Sequence, residues 1–166
     1  MQASPEPDVA ALLYQLVEDE LPGRRGLNAW RSLLRAHATL MRQLETDLEH
    51  ETGFALADFD VLAQLAGAGG ELRMTDLAAR ALISRSGMTR RVARLVDEGL
   101  VHRSSADTDA RGVVVRLTHA GVARLTETAP AHARGIAAYF VSHLEDEELA
   151  VLGRALDKVT IECTFG

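Results

Sequence analysis

From Asn28 to about Glu51, Trp30, Leu33, Leu34, His37, Leu40, Met41, Leu44 and Leu48 return at three- and four-residue intervals. That spacing predicts a long amphipathic helix, with Asn28 as its N-cap and Gly53 as its stop. A shorter helix is expected over Asp58–Ala66, built on Phe59, Leu62, Leu65 and Ala66 and ended by the turn "GAGG" at 67–70. Thr75 is expected to cap a third helix with Leu77, Ala78 and Leu82 facing inward. Ser84 caps a fourth that runs to Glu98, and Gly99 closes it. In that fourth helix Met88, Val92, Leu95 and Val96 form the stripe expected to be buried. Upstream, Val9 to Asp19 carries a short apolar stripe ended by "LPGRRG".

The periodicity then changes. "LVHRS" (100–104) and "VVVRL" (113–117) flank a polar tip, "SADTDARG". β-Branched flanks around an Asp-, Ser- and Gly-rich tip read as a projecting β-hairpin. Two short helices followed at once by such a hairpin make a winged helix-turn-helix. Thr118 is expected to cap a helix reaching about His143, bent or split at Pro130. The segment 144–161 reads as a last helix with Leu149, Leu152, Leu156 and Val159 on one face. The fold class expected is therefore mainly α with a small β-wing. Across 1–166 it divides into N-terminal helices over 9–56, a winged helix-turn-helix over 57–117 and C-terminal helices over 118–166.

Composition narrows the function classes. The chain has 166 residues, 47% hydrophobic and 25% charged, in the range of an ordinary globular protein. Aromatic residues make up only 4%, too few for the stacking platforms of single-strand binders. The one cysteine, Cys163, leaves no disulfide framework, and the acidic first twenty residues lack the basic start of a signal peptide. With no long apolar run, a cytoplasmic location is expected and no membrane partner.

Charge is the informative feature. The formal net charge is -6, yet residues 80–116 hold eight arginines against four acids, while 145–166 hold six acids against two bases. A basic middle between acidic ends suggests a polyanion met by the middle alone. Helical spacing places Ser86, Thr89, Arg90 and Arg94 on the face away from the apolar stripe, with Ser84 and Arg85 at the helix start. Hydroxyls and helix-end amides suit phosphates, and arginines suit guanine N7 and O6 in a major groove. In the hairpin tip, Arg111 beside Asp107 and Asp109 fits either of two readings. One is a minor-groove arginine braced by Asp109. The other is a turn held by its own salt bridge.

These residues together resemble the winged helix-turn-helix of the MarR (multiple antibiotic resistance regulator) family. The likeness lies in the Ser-led helix, the exit from Leu95 to Val101, the wing element Asp109-Ala110-Arg111 and the junction Leu117-Thr118-His119-Ala120-Gly121. It covers about Asn28 to Gly166. It implies a homodimer joined through N- and C-terminal helices, binding double-stranded DNA at a palindromic operator as a transcriptional regulator, typically a repressor released by a small ligand. The apolar stripes of the terminal helices exceed what a three-helix winged unit can cover, which points to dimerisation independently.

Arg91 falls on or beside the apolar stripe, where relatives commonly carry an apolar residue. A guanidinium there needs a carboxylate, and Asp60 is the expected partner. The trio Asp60, Arg91 and Arg103, with "PAH" at 130–132, resembles the family's urate-responsive branch, in which matching positions help hold an anionic purine. That branch has a tryptophan in its extra N-terminal helix; this chain has Tyr14 there and Trp30 one helix later. The expected ligand site is therefore Trp30, Asp60, Arg91 and Arg103, taking urate or another aromatic or carboxylate anion. The alternative is a structural ion pair with no ligand.

Other classes fit less well. The histidines at 37, 50, 102, 119, 132 and 143 show no metal-ligand spacing, and Ser84 and Ser86 have no His-acid pair nearby, so no catalytic site, metal or cofactor is expected. His37 is expected in the core. Two alternatives stay open: a redox-sensing regulator acting through Cys163, and a winged helix that binds protein without DNA specificity.

Overall fold

A computed structural model describes Gln15 and residues 24–81, 83–106 and 109–165, with side chains outside 106–111 and 162–165. The expected helix at 9–19 and the side chains of Leu82, Asp107, Asp109, Arg111 and Cys163 lie outside the described set. The elements run α1 (Arg24–Thr52), α2 (Leu56–Gly67), β1 (Glu71–Arg73), α3 (Met74–Arg80), α4 (Arg85–Asp97), β2 (Val101–Ala106), β3 (Asp109–Leu117), α5 (His119–Tyr139), a 3-10 turn (Val141–His143) and α6 (Asp146–Phe165). This is mostly helix with one three-stranded antiparallel sheet in the order β1-β3-β2. Among the described residues no helix is long and apolar enough to cross a membrane.

The chain divides into two compact units, residues 1–42 and 43–166, and the division falls inside α1. In the first, Trp30, Leu33, Leu34, His37 and Met41 are exposed. The expectation of a core His37 is thus corrected: the stripe it shares is uncovered in the single chain. In the second, Leu48, Leu62, Leu65, Leu77, Met88, Leu95 and Val115 lie at the centre of one core.

Several boundaries differ from the sequence reading. α1 is already helical at Arg24, so Asn28 sits inside it and does not cap it. α3 begins at Met74 behind Arg73, whose side chain makes no capping bond, so Thr75 is not the cap. Helix onset here follows tertiary packing, since capping preferences are worth only about 1 kcal/mol. α5 runs unbroken through Pro130, which removes one backbone donor but leaves Ala129 and Ala131 packed on the core. The helix ends at Tyr139 instead of His143. It is strapped to the C-terminal half of α1 by Arg134–Glu51, by Tyr139 donating to Asp47, and by Arg124 donating to the Thr52 carbonyl at 2.8 Å.

The hairpin strands are longer than expected. β2 and β3 pair from Val101↔Leu117 to Ser105↔Val113 and again at Ala106↔Asp109, with an irregularity between Ser105 and Ala106. β1 adds a third strand, Glu71↔Arg116 to Arg73↔Val114, and Glu71 accepts from Arg116 Nε at 2.6 Å.

Candidate nucleic-acid interface

The α4 start is built as its sequence dictates. Ser84 has extended backbone, and its hydroxyl accepts the Gly87 N–H at 3.2 Å. The Ser86 hydroxyl lies 3.3 Å from that of Ser84, and the Thr89 hydroxyl donates to the Arg85 carbonyl at 2.9 Å. One lone pair of the Ser84 hydroxyl is therefore taken by the helix's own amide. Met88, Val92 and Leu95 are buried; Val96, expected with them, is exposed. The core takes only a narrow stripe of this helix. Its opposite side leaves Arg85, Ser86, Thr89, Arg90, Ala93 and Arg94 exposed.

The helix leaves through Gly99, whose φ of 73° suits a residue without Cβ. The Leu100 amide donates back to the Leu95 carbonyl at 2.8 Å. The Leu100 carbonyl then receives the Thr118 amide at 3.1 Å. The Thr118 hydroxyl lies 2.7 Å from the Gly99 carbonyl and 3.0 Å from that of Leu100, and accepts the Gly121 N–H at 3.0 Å. One threonine thus caps α5 and ties it to the root of the wing. Gly121 completes the joint: a Cβ there would stand 2.0 Å from the Leu100 carbonyl oxygen.

The buried carboxylate facing α4 is Asp58, not Asp60. α2 starts at Leu56, which places Asp58 in its first turn, where the helix dipole favours a carboxylate. Asp58 Oδ1 accepts from Arg91 Nη1 at 2.8 Å, and Oδ2 accepts from Arg94 Nη2. The Asp58 side chain is 5% exposed, Arg91 26% and Arg94 52%. Glu98 Oε1 lies 4.0 Å from Arg94 Nε on the other side. The two flanking charges, led by the Asp58 hydrogen bond, raise the Arg94 pKa further. Arg91 Nε is buried without a hydrogen-bond partner, because one carboxylate serves two guanidiniums.

Two residues further along α2, Asp60 has turned about 200° round the helix and is partly exposed. Its neighbour is His132, whose ring lies 4.6 Å from that of Phe59. Partial burial raises the Asp60 pKa, and the His132 charge opposes that. Burial lowers the His132 pKa, partly offset by Asp60. Arg103 stands opposite Val115 in the register and is exposed, while Trp30 belongs to the first unit. Beside the clamp, Ile83, Gly87, Arg90, Arg91 and Arg94 line a cavity of about 240 Å³. Among the described residues no cluster of His, Cys, Asp or Glu could hold a metal ion.

A family profile described as "MarR family" matches residues 52–112. No curated protein sequence matches the chain. Among solved structures, AbsC, a MarR family transcriptional regulator from Streptomyces coelicolor, is 28% identical with a TM-score of 0.78, over 88% of this chain and 99% of that one. MarR from E. coli, solved as a mutant with operator DNA, is 25% identical with a TM-score of 0.71, over 81% and 95%. Sco3205, a MarR family transcriptional regulator from S. coelicolor solved in complex with DNA, is 31% identical with a TM-score of 0.76, over 84% and 92%. Matching along nearly the whole of these chains, and carrying the family's helix exit, wing and Leu-Thr-x-x-Gly joint, the chain belongs to the MarR family.

Proposed function

We propose that the protein is a transcriptional regulator that binds double-stranded DNA as a homodimer at a palindromic operator. The observation that carries this is the exposed face of α4: Arg85, Ser86, Thr89 and Arg90 project from a capped helix whose other side is core. Helix-end hydroxyls and arginines meet phosphates and guanine edges, and the wing sequence supplies Arg111 for the adjacent minor groove. Two such helices would read half-sites about 34–36 Å apart. The DNA complexes of Sco3205 and of E. coli MarR support the reading. Dimerisation is supported by apolar residues uncovered in the single chain: Trp30, Leu33 and Leu34 on α1, and Val151, Leu156 and Val159 on α6.

A gel shift and footprint on the intergenic DNA beside its own gene tests this. A protected palindrome is expected, and Arg111→Ala should flatten the dependence of log affinity on log salt by about 0.9 for each phosphate the protein no longer neutralises. A monomer that prefers no stretch of that DNA overturns it.

The regulator acts as a repressor released by a small organic anion bound at Arg91. The clamp supports this: an anion in the cavity beside Arg90, Arg91 and Arg94 competes with Asp58 and loosens α4 from α2. A cavity of about 240 Å³ takes a small aromatic or carboxylate anion, urate included. Titration calorimetry with urate, salicylate and small dicarboxylates should find binding that Arg91→Leu abolishes. Absence of binding by all of them overturns the effector reading and leaves the DNA reading standing.

A further inference from the structure

α4 carries four arginines, but the fold does not leave four positive charges for DNA. Arg91 and Arg94 share Asp58, and Arg94 is flanked by Glu98 as well. Those four side chains sum to zero. Among the described residues, Arg85 and Arg90 have no carboxylate partner. Arg94 nevertheless lies on the open face of α4, about half exposed. Asp58 holds it from behind, out of solvent, with the carboxylate oxygen that Arg91 does not use.

We infer that Asp58 is a specificity-determining residue: it withholds Arg94 from DNA phosphates. A phosphate can recruit Arg94 only by stripping it from a buried carboxylate, and that carboxylate then has no water to replace its former partner. The effect is selective. Contacts made by Arg85 and Arg90 keep their full charge, while the phosphate contact Arg94 could make anywhere on any duplex is suppressed. Non-specific binding is set almost wholly by such contacts, so a charge held back lowers it and widens the gap to a cognate site. The inference rests on the DNA-binding reading and adds to it which arginines take part.

The test needs no knowledge of the operator. Binding of the full-length protein to a labelled duplex of scrambled sequence is followed by fluorescence anisotropy from about 50 to 200 mM salt, where counterion release dominates. Asp58→Asn keeps the side chain's shape and an acceptor for Arg91 but frees Arg94. It should tighten scrambled-duplex binding several-fold and steepen the salt slope by about 0.9 per protomer. Arg94→Gln alone should leave the slope at the wild-type value, and added to Asp58→Asn it should restore that value. A purely structural Asp58 would change melting temperature without steepening the slope, and that result overturns the inference. So does a flattened slope in Arg94→Gln, which decides the matter even where Asp58→Asn does not fold. Arg90→Gln separates the two readings. If it flattens the slope, DNA binding stands and only the role of Asp58 is in question. If neither wild type nor any variant shows salt-dependent binding, both fail.

Discussion

Replacing Gly121 by alanine separates a steric requirement from helix propensity, because the two oppose each other there. Gly121 lies in the first turn of α5, where alanine would ordinarily add about 1 kcal/mol. Its Cβ would stand 2.0 Å from the Leu100 carbonyl oxygen, 3.1 Å from the carbonyl carbon and 3.2 Å from Leu117 Cδ2, and real Cβ atoms essentially never come within 3.0 Å. The carbonyl must retreat by about 1 Å. It is backbone, tied to the Thr118 amide at 3.1 Å, and cannot swing away as a side-chain tip would. Overpacking of this kind costs about 1–3 kcal/mol and a weakened hydrogen bond about 1 more. Less the propensity gain, Gly121→Ala should destabilise by about 1–3 kcal/mol, a fall of roughly 2–12 °C in melting temperature.

The assay is thermal unfolding at one fixed protein concentration, since dimerisation makes the midpoint concentration-dependent. Gly67→Ala is the internal control. Gly67 ends α2 at negative φ with nothing within 4 Å of an added Cβ, so alanine should stabilise by about 0.4–1 kcal/mol. The two variants should move in opposite directions. A Gly121→Ala protein that melts at or above wild type would refute the close approach of wing root and α5.

Further outcomes follow from particular side chains. Ser84→Ala removes the hydroxyl that accepts the Gly87 N–H and should cost about 1 kcal/mol in urea unfolding. Val151→Asp on the uncovered face of α6 should shift sedimentation from dimer to monomer while leaving far-ultraviolet circular dichroism unchanged. Burial lowers the His132 pKa below its usual 6.5, so the unfolded chain takes the proton first. The stability tied to that neutral imidazole is complete above pH 6.5 and drains as pH falls through 6.5 toward the folded value. His132→Phe keeps a ring against Phe59 and should lose less melting temperature than wild type between about pH 7.5 and 5.5; equal losses would clear His132 of the effect. Asp60 acts at lower pH and with opposite sign, since its raised pKa favours the folded state below 3.8 and that gain is lost as pH rises.

What could be read from the sequence was what neighbouring residues decide among themselves. Ser84 with Gly87, Gly99 at the helix exit, and Thr118 with Gly121 are joints three residues or fewer across, and the structure has each where the pattern put it. Asn28 and Thr75 are equally good capping residues on paper, but α1 is already helical at Arg24 and α3 begins at Met74. Asp58 was missed for the opposite reason. An aspartate at the head of an apolar pattern reads as the start of a helix, and its real partners are 33 and 36 residues away. The signal that could have found it was Arg91 itself: a guanidinium on the buried side demands a carboxylate, and α2 offers two. Only the true start of α2 tells which one faces inward.

Long-range pairing also changes what the basic segment offers a partner. Counting arginines over 80–116 describes a strongly cationic patch, but the fold edits that count. Glu71 takes Arg116 on the sheet face, and Asp58 takes Arg91 and Arg94. Exposed pairs like Glu71–Arg116 are worth little to stability, about 0–1 kcal/mol, yet each removes a charge from what an approaching duplex meets. Among the described residues the charge left uncompensated on α4 is at Arg85 and Arg90, in the N-terminal half of the helix, where the helix dipole also presents positive potential. An acidic protein can therefore hold a polyanion without a broadly basic surface: on α4 itself, two of the four arginines are neutralised from within, and the two that stay open face an approaching duplex.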